Sequence, residues 1–525
     1  MKIWLATMEC AGIAEAGGVK DVSYSLATGF ARAGNDVTLF IPVFGCTSFS
    51  AVEKLQKNAV QDVSIPIGEK DEKISYSTAL LSGTAVRVVF VHHPSFQNKR
   101  AVYVYTEEDQ KENPNHVRGT GHDDSLFLDA LFSKAVCEYA RFITAPEIPD
   151  VIHCQDASTA IIPCYAQKLR KDFFKETKYV VTIHNAGPAY HHFFQNLDQA
   201  LYYTGLDYSI LNQALNNFRV EPFLLAAIFA RITTVSTYYA EELMNPDNSK
   251  NTDGLSLLFH EKNIHITGIT NGIDYRLYRP EQKSVSMLPF AYKPRIGRLS
   301  GKKRNRRFFL KLCRKSRATF SSARAYTENV QRYGWIDVPR NQKQAVFFMY
   351  HGRIVWQKGI TLLLEAIGPI ISKYPDARFF IAGQGDPDIE NKIKHITERF
   401  DGKVVFFNGY NNPLSHLVAA AADFAVLPSF FEPCCLEDFI AQIFGTIPIA
   451  HSTGGLKKIL DAKSGFLYMH NTPESLERSI DRAMRLFSNK NKLKDMIVWT
   501  ANYIHKIYSW DYVIEQNYLK FFKKL

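Results

Sequence analysis

No stretch of this 525-residue chain approaches the ~18 uninterrupted apolar residues of a membrane-spanning helix, so no span and no membrane partner are predicted. Cysteine is sparse as well. Its eight residues (10, 46, 137, 154, 164, 313, 434 and 435) are scattered among apolar neighbours, without the paired spacing of a metal site, and adjacent Cys434–Cys435 makes a poor chelate. They read as reduced thiols acting as small hydrophobes, which predicts a cytoplasmic chain and no metal ligands. The chain opens on a strand-like run rather than a basic–apolar leader, in keeping with that expectation. No internal repeat is visible. Acid is missing entirely between Lys293 and Arg324, where thirteen Lys or Arg stand, so the net charge of +11 is local and the remainder sits near −2. A patch for nucleic acid or another polyanion is the sharper reading of 293–324, a solvated insertion the plainer one. Aromatic residues are few there (Phe308, Phe309, Phe320), which argues against a stacking platform and favours the plainer reading.

What is present is ordinary for a folded protein: 46% hydrophobic and 22% charged residues, over a length that suits two cores rather than one. Short β-rich apolar runs alternate with helical patterns throughout. In the first half they are 2–7, 36–42, 86–91, 151–154 and 178–183; in the second, 344–350, 377–382, 403–407, 424–427 and 447–450. Such alternation predicts α/β architecture with parallel, doubly wound sheets. The basic segment separates the two sets. The expected division is therefore 1–270, then 271–505 with a basic insertion over about 293–334, then a terminal helix over 506–525.

Chemistry-bearing residues cluster where strands end, the place where open α/β sheets bind ligands. The run Phe424–Leu427 leads into Pro428-Ser429-Phe430-Phe431-Glu432-Pro433-Cys434-Cys435-Leu436, presenting Glu432 beyond a buried strand. Gly445-Thr446-Ile447-Pro448 and Thr453-Gly454-Gly455 follow. Near the start, strand 2–7 is followed by Glu9 and by Gly17-Gly18, which open a helix whose Val19, Val22, Leu26 and Phe30 share a face. Two glycines there allow amides to meet an anion, although alone they are a weak phosphate signal. Gly352-Arg353-Ile354-Val355-Trp356-Gln357-Lys358-Gly359 ends another strand just before an apolar helix. An exposed Arg and Lys on a loop is the bland alternative. His184-Asn185 also ends a strand, Asn271-Gly272 is by itself a turn signal, and Gly409-Tyr410 closes the run 403–407.

The ordered set Pro-Ser-x-Phe-Glu-Pro-Cys, Gly-Thr-x-Pro and Thr-Gly-Gly-Leu resembles the glycogen and starch synthases, and the likeness spans nearly all of the chain outside the basic insertion. Ser300-Gly301-Lys302-Lys303 with Asn305 resembles the helix opening that family's second domain. Tyr508-Ser509-Trp510 resembles its terminal helix, which crosses back to the first. The resemblance implies a GT-B fold, with two Rossmann-like domains facing across a cleft. It also implies metal-independent, cofactor-free, retaining transfer of glucose from a nucleotide-diphosphate glucose, ADP-glucose favoured, to the non-reducing end of an α-1,4-glucan. Carried over residue by residue, Arg353 and Lys358 meet the diphosphate. Glu432 holds the glucosyl hydroxyls and steadies the oxocarbenium-like transition state, and His184 is a polar contact to the sugar. Gly17, Gly18, Asp21, Asn271, Tyr410, Cys434, Leu436, Thr453, Gly454 and Gly455 line the donor, and Glu9 and Asp156 lie on the acceptor side. Departures from the pattern include four site positions. Glu15 stands for a lysine, Cys435 for a glycine, Glu437 for a threonine and Ala157 for a tryptophan. They leave a second reading open, a catalytically impaired glucan-binding or regulatory relative, with two acids expected to repel a diphosphate.

Overall fold

The structure is a computed structural model and describes residues 1–316, 323–337 and 345–525. The part of the basic segment at 317–322, and residue 344 at the start of one expected strand, lie outside the described residues. The chain divides into two compact units, Met1–Gly272 with Trp510–Leu525, and Ile273–Ser509. The first junction falls two residues from the expected one, and the returning segment begins at Trp510 rather than at 506.

The first unit is built on a nine-stranded sheet. Its strands are β1 (Lys2–Ala6), β2 (Asp36–Pro42), β3 (Val52–Ile67), β4 (Lys70–Leu81), β5 (Arg87–His92), β6 (Val151–Gln155), β7 (Lys178–Ile183), β10 (Arg231–Thr234) and β11 (Ile266–Gly268). A two-stranded ribbon, β8 (Leu215–Asn216) and β9 (Arg219–Val220), lies outside that sheet. The order is β11-β10-β7-β6-β1-β2-β5-β4-β3. The wholly parallel sheet expected from the sequence needs correction here, because β3 and β4 pair antiparallel with each other and β4 with β5. β3 slips register repeatedly at its edge, with Lys54, Asn58 and Asp62 at positive φ. Bulges of this kind protect a sheet edge from pairing with another chain.

The helix Val19–Arg32 packs on this sheet through Val22, Leu26 and Phe30, each buried and contributing roughly 1.5–3 kcal/mol. Phe30 then meets Tyr518 and Phe522 of the returning segment at ring separations of 5.8 and 5.5 Å. Gly29 permits that approach, since a Cβ there would lie 2.0 Å from Ile514 Cδ1.

The second unit holds a seven-stranded sheet: β12 (Val330–Gly334), β13 (Val346–His351), β14 (Ala377–Gly383), β15 (Val404–Gly409), β16 (Phe424–Leu427), β17 (Ile447–His451) and β18 (Phe466–Tyr468). Its order is β12-β15-β14-β13-β16-β17-β18, parallel except for β12, which runs antiparallel along the β15 edge. β12 comes from the expected insertion, which is thus partly woven into the sheet. The basic helix Ser300–Leu312 is also more than a solvated face. Lys302 is buried and donates to the carbonyls of Ala420 (3.2 Å) and Phe444 (3.1 Å) and to Thr446 Oγ1 (2.8 Å). Arg306 pairs with Asp423 at 2.5 Å. Two of the thirteen cations are therefore structural. No helix among the described residues is long and apolar enough to cross a membrane.

Candidate active site

In the first unit the candidate residues stand at the carboxyl ends of β1, β6 and β7 and just past β11. Glu9 follows β1 and is buried, and its carboxylate accepts from the amides of Gly17 (2.6 Å) and Ala16 (3.0 Å) and from the Tyr103 hydroxyl (3.4 Å). Burial pushes its pKa above the ordinary value, although the two amides pull it back. The Gly17 amide, expected to meet a phosphate, here donates to Glu9, which clamps the loop. Gly18 caps the helix Val19–Arg32, with open space where a Cβ would sit, and Asp21 occupies the first turn.

Glu15 is not an isolated acid. Lys20 pairs with it at 2.9 Å, and the Gly12 amide donates to it at 2.7 Å. Partial burial would raise its pKa, but these two partners outweigh it and hold the carboxyl below its usual range. The charge of the missing lysine reappears five residues on.

Asp156 stands between β6 and a short turn, in the left-handed region at φ 63°, and accepts from the His184 amide at 2.8 Å. Desolvation pushes its pKa up to about 7, against the pull of the His184 amide and of His192. His184 follows β7 with Nε2 2.7 Å from Gln155 Oε1, and burial lowers its pKa to about 3. The imidazole is therefore neutral near pH 7 and suited to a polar contact rather than to taking up a proton. Ala157 is buried beside Asp156. Asn271 is buried beyond β11, its amide donating to Val235.

The raised Asp156 pKa carries a testable slope. Between its ordinary value of 3.8 and about 7, the folded chain keeps a proton that the unfolded chain has released. This group's contribution to stability thus falls as pH rises through that window and levels off above it. Asp156→Asn should remove the slope, so its urea midpoint should gain on the wild type between about pH 4 and 7. A constant difference between the two proteins would place the carboxyl at its ordinary value.

In the second unit the candidates converge on the ends of β13, β16 and β17. Arg353 is exposed just past β13. A single helical turn, Trp356–Lys358, follows, and then Gly359 at φ 63°. A Cβ on Gly359 would lie 1.9 Å from Pro428 O, so glycine lets the β13 and β16 loops touch. Across that contact Lys358 Nζ is 2.6 Å from Glu432 Oε2, which also accepts from Ser429 Oγ at 3.2 Å. Desolvation works against the charge on Lys358, but Glu432 and Glu437 outweigh it and hold the pKa above the usual value. The Glu432 backbone is fixed in turn, because its carbonyl accepts from the Gly455 amide at 2.8 Å. Thr453 Oγ1 donates to Phe430 O at 3.4 Å, and Gly454 begins the turn Gly454–Lys458.

The altered positions lie in the same cluster. Cys435 adopts φ 67°, the left-handed region that its glycine counterpart enters freely, and its thiol donates to Glu437 Oε2 at 3.6 Å. Desolvation would raise the Glu437 pKa, but Lys358 and His351 pull the carboxyl below its ordinary range. Cys434 is buried, and its carbonyl accepts from Lys458, which pairs with the buried Asp438 at 2.8 Å. Leu436 is half-buried. Tyr410 follows β15 and is exposed, and a cavity of about 800 Å³ opens between the ends of β14 and β15 and strand β12. Sequence reasoning missed Ser429, Lys20 and the Lys458–Asp438 pair. Ser429 lay inside a quoted motif; the other two form partnerships that no spacing rule announces.

Comparison with known proteins gives the class. Residues 2–257 match the family model described as "Starch synthase catalytic domain", and residues 335–497 match "Glycosyl transferases group 1". The solved catalytic domain of Starch Synthase IV from Arabidopsis thaliana bound to ADP and acarbose matches with a TM-score of 0.78 at 24% identity, over 100% of this chain and 98% of that one. Two Rossmann-like units of this form define a GT-B glycosyltransferase. Over 517 residues the chain is 32% identical to a glycogen synthase of Thermodesulfovibrio yellowstonii, covering 95% of this chain and 93% of the relative. A glycogen synthase of Photobacterium profundum is 29% identical over 511 residues, covering 93% and 88%. The chain belongs to the glycogen/starch synthase family.

Proposed function

We propose that the chain transfers glucose from a nucleotide-diphosphate glucose, ADP-glucose favoured, to the non-reducing end of an α-1,4-glucan, with retention, in the cytoplasm. The observation that carries this is the Lys358–Glu432 pair at the ends of β13 and β16, 2.6 Å apart with Ser429 as a further donor. The names of the relatives support the reaction, and the ADP in the Arabidopsis structure supports the choice of base. In this reading Arg353 and Lys358 take up the negative charge that grows on the departing diphosphate. Glu432 orients the glucosyl hydroxyls and stabilises the positive charge at the anomeric carbon. The carbon–phosphate-oxygen bond breaks as the acceptor hydroxyl attacks from the same face, and its proton leaves with the diphosphate. No second carboxylate is required. Basic side chains serve in place of a metal ion, so the reaction is proposed to be metal-independent.

Incorporation of radiolabelled ADP-glucose and UDP-glucose into a glycogen primer tests the reading. Incorporation should occur with undiminished rate in EDTA, faster from ADP-glucose. A catalytically impaired relative is the second reading, favoured by the left-handed Cys435 and the acid at Glu437. It predicts no incorporation from either donor while glycogen is still bound.

A further inference from the structure

Trp356 is 65% exposed, an unusual place for the largest apolar side chain. Its indole lies flat against Phe430, with centroids 4.8 Å apart and planes within 5°. The rings come from different loops, and each stands two residues before one member of the Lys358–Glu432 pair. Those loops are tied beneath the stack. The Phe430 amide donates to Gln357 O at 2.9 Å, and Gln357 Nε2 donates to Phe431 O at 3.0 Å. The backbones that carry the two rings are thus tied to each other. Other strand ends lie alongside. His451, at the end of β17, lies 2.8 Å from Ser429 O and 3.3 Å from the carbonyl of Met469, itself 70% exposed just past β18.

An exposed tryptophan stacked on a ring of a tied neighbouring loop, beside the Lys358–Glu432 pair, is a candidate binding surface. Its chemistry narrows the ligand. The aromatic face is flat, apolar and negative at its centre, which suits the C–H face of a pyranose ring, whose hydrogens are weakly positive and whose hydroxyls point outward at the rim. A nucleoside base is also flat, but Tyr410, which the resemblance assigns to the donor, and the 800 Å³ cavity stand toward the β12 edge of the sheet, by β15 and β12. The two stacked rings stand past β13 and β16, on the other side of β14. We propose that Trp356 and Phe430 form a sugar-stacking platform that holds a glucosyl unit of the α-glucan chain beside the Lys358–Glu432 pair. The assignment of the ligand rests on the glucan-synthase reading above.

Electrophoresis through gels containing glycogen, without nucleotide, measures binding independently of catalysis. Trp356→Ala should weaken glycogen retention about tenfold, Phe430→Ala less, and Trp356→Phe should retain most of it. The KM for glycogen should rise in step, while calorimetric ADP affinity stays within twofold. Trp356 is exposed, so the alanine variant should fold normally. Unchanged retention, a wild type that glycogen does not retard, or a loss of ADP affinity with glycogen binding intact would each overturn the platform. Retention that depends on Trp356 in a protein without transferase activity would keep the platform and sink the catalytic reading instead.

Discussion

Lys358→Ala should lower glucosyl transfer by on the order of 10²-fold or more, the scale on which removal of one preorganised charge from a transition state is felt. The geometry says why the loss should be large. Lys358 is 16% exposed and Glu432 6% exposed, so their attraction is only weakly screened by water. The same burial creates a hazard for the experiment. Removing the ammonium leaves the Glu432 carboxylate without its ion partner, which costs up to about 3–5 kcal/mol in a closed site. Unfolding would then imitate loss of catalysis. Measuring the urea midpoint of Lys358→Ala alongside its rate, and assaying transfer under conditions where the variant is folded, separates the two. The folded variant should remain inactive. A folded Lys358→Ala protein of normal rate would remove Lys358 from the diphosphate.

How much of this was legible beforehand depended on whether a feature is local. The central parallel strands were readable because burial on both faces writes a continuous apolar run, as in Phe424–Leu427 and residues 346–350. The hairpin β3–β4 escaped because its outer strand carries Lys54, Lys57, Asn58, Gln61 and Asp62 and mostly faces water. β12 escaped for another reason. It is an edge strand in a segment marked by charge, and its pairing with β15 spans more than seventy residues. In the site, motif order located Glu432, Arg353 and Lys358 at strand ends. It did not show that Glu9 takes up the Gly17 amide, or that Lys20 neutralises Glu15, since both depend on how a loop closes on itself. The basic helix was misjudged in the same way, because burial of Lys302 is decided by carbonyls more than a hundred residues away.

Replacing the altered donor loop should tighten nucleotide-diphosphate binding more than any change at the glycine turn. Glu15 already has Lys20 and the Gly12 amide as partners, so the repulsion expected of it is largely cancelled inside its own loop. Glu15→Ala should therefore move ADP affinity by only a few tenths of a kcal/mol, as for other exposed pairs. Glu437 is different. It is half-buried at the start of the helix Glu437–Ile443, and it acts on the ammonium of Lys358, the group a diphosphate would claim. A phosphate at Lys358 must displace that interaction and also tolerate the nearby negative charge. At ~5 Å and an effective dielectric near 20, one such repulsion is worth about 3 kcal/mol, and less once salt screens it. Glu437→Thr should accordingly raise ADP affinity by roughly 1–3 kcal/mol, about 5- to 150-fold. Adding Cys435→Gly returns a residue without Cβ strain to φ 67°, which should relieve about 1 kcal/mol of backbone cost and free the loop to meet the ligand. The two positions are in contact through the Cys435 thiol, so the double variant need not equal the sum of the singles. Calorimetric titration of ADP into the wild type, both single variants and the double variant measures each term. Equal affinities across the four proteins would mean that Glu437 never faces the donor, and the impaired-relative reading would lose its main support.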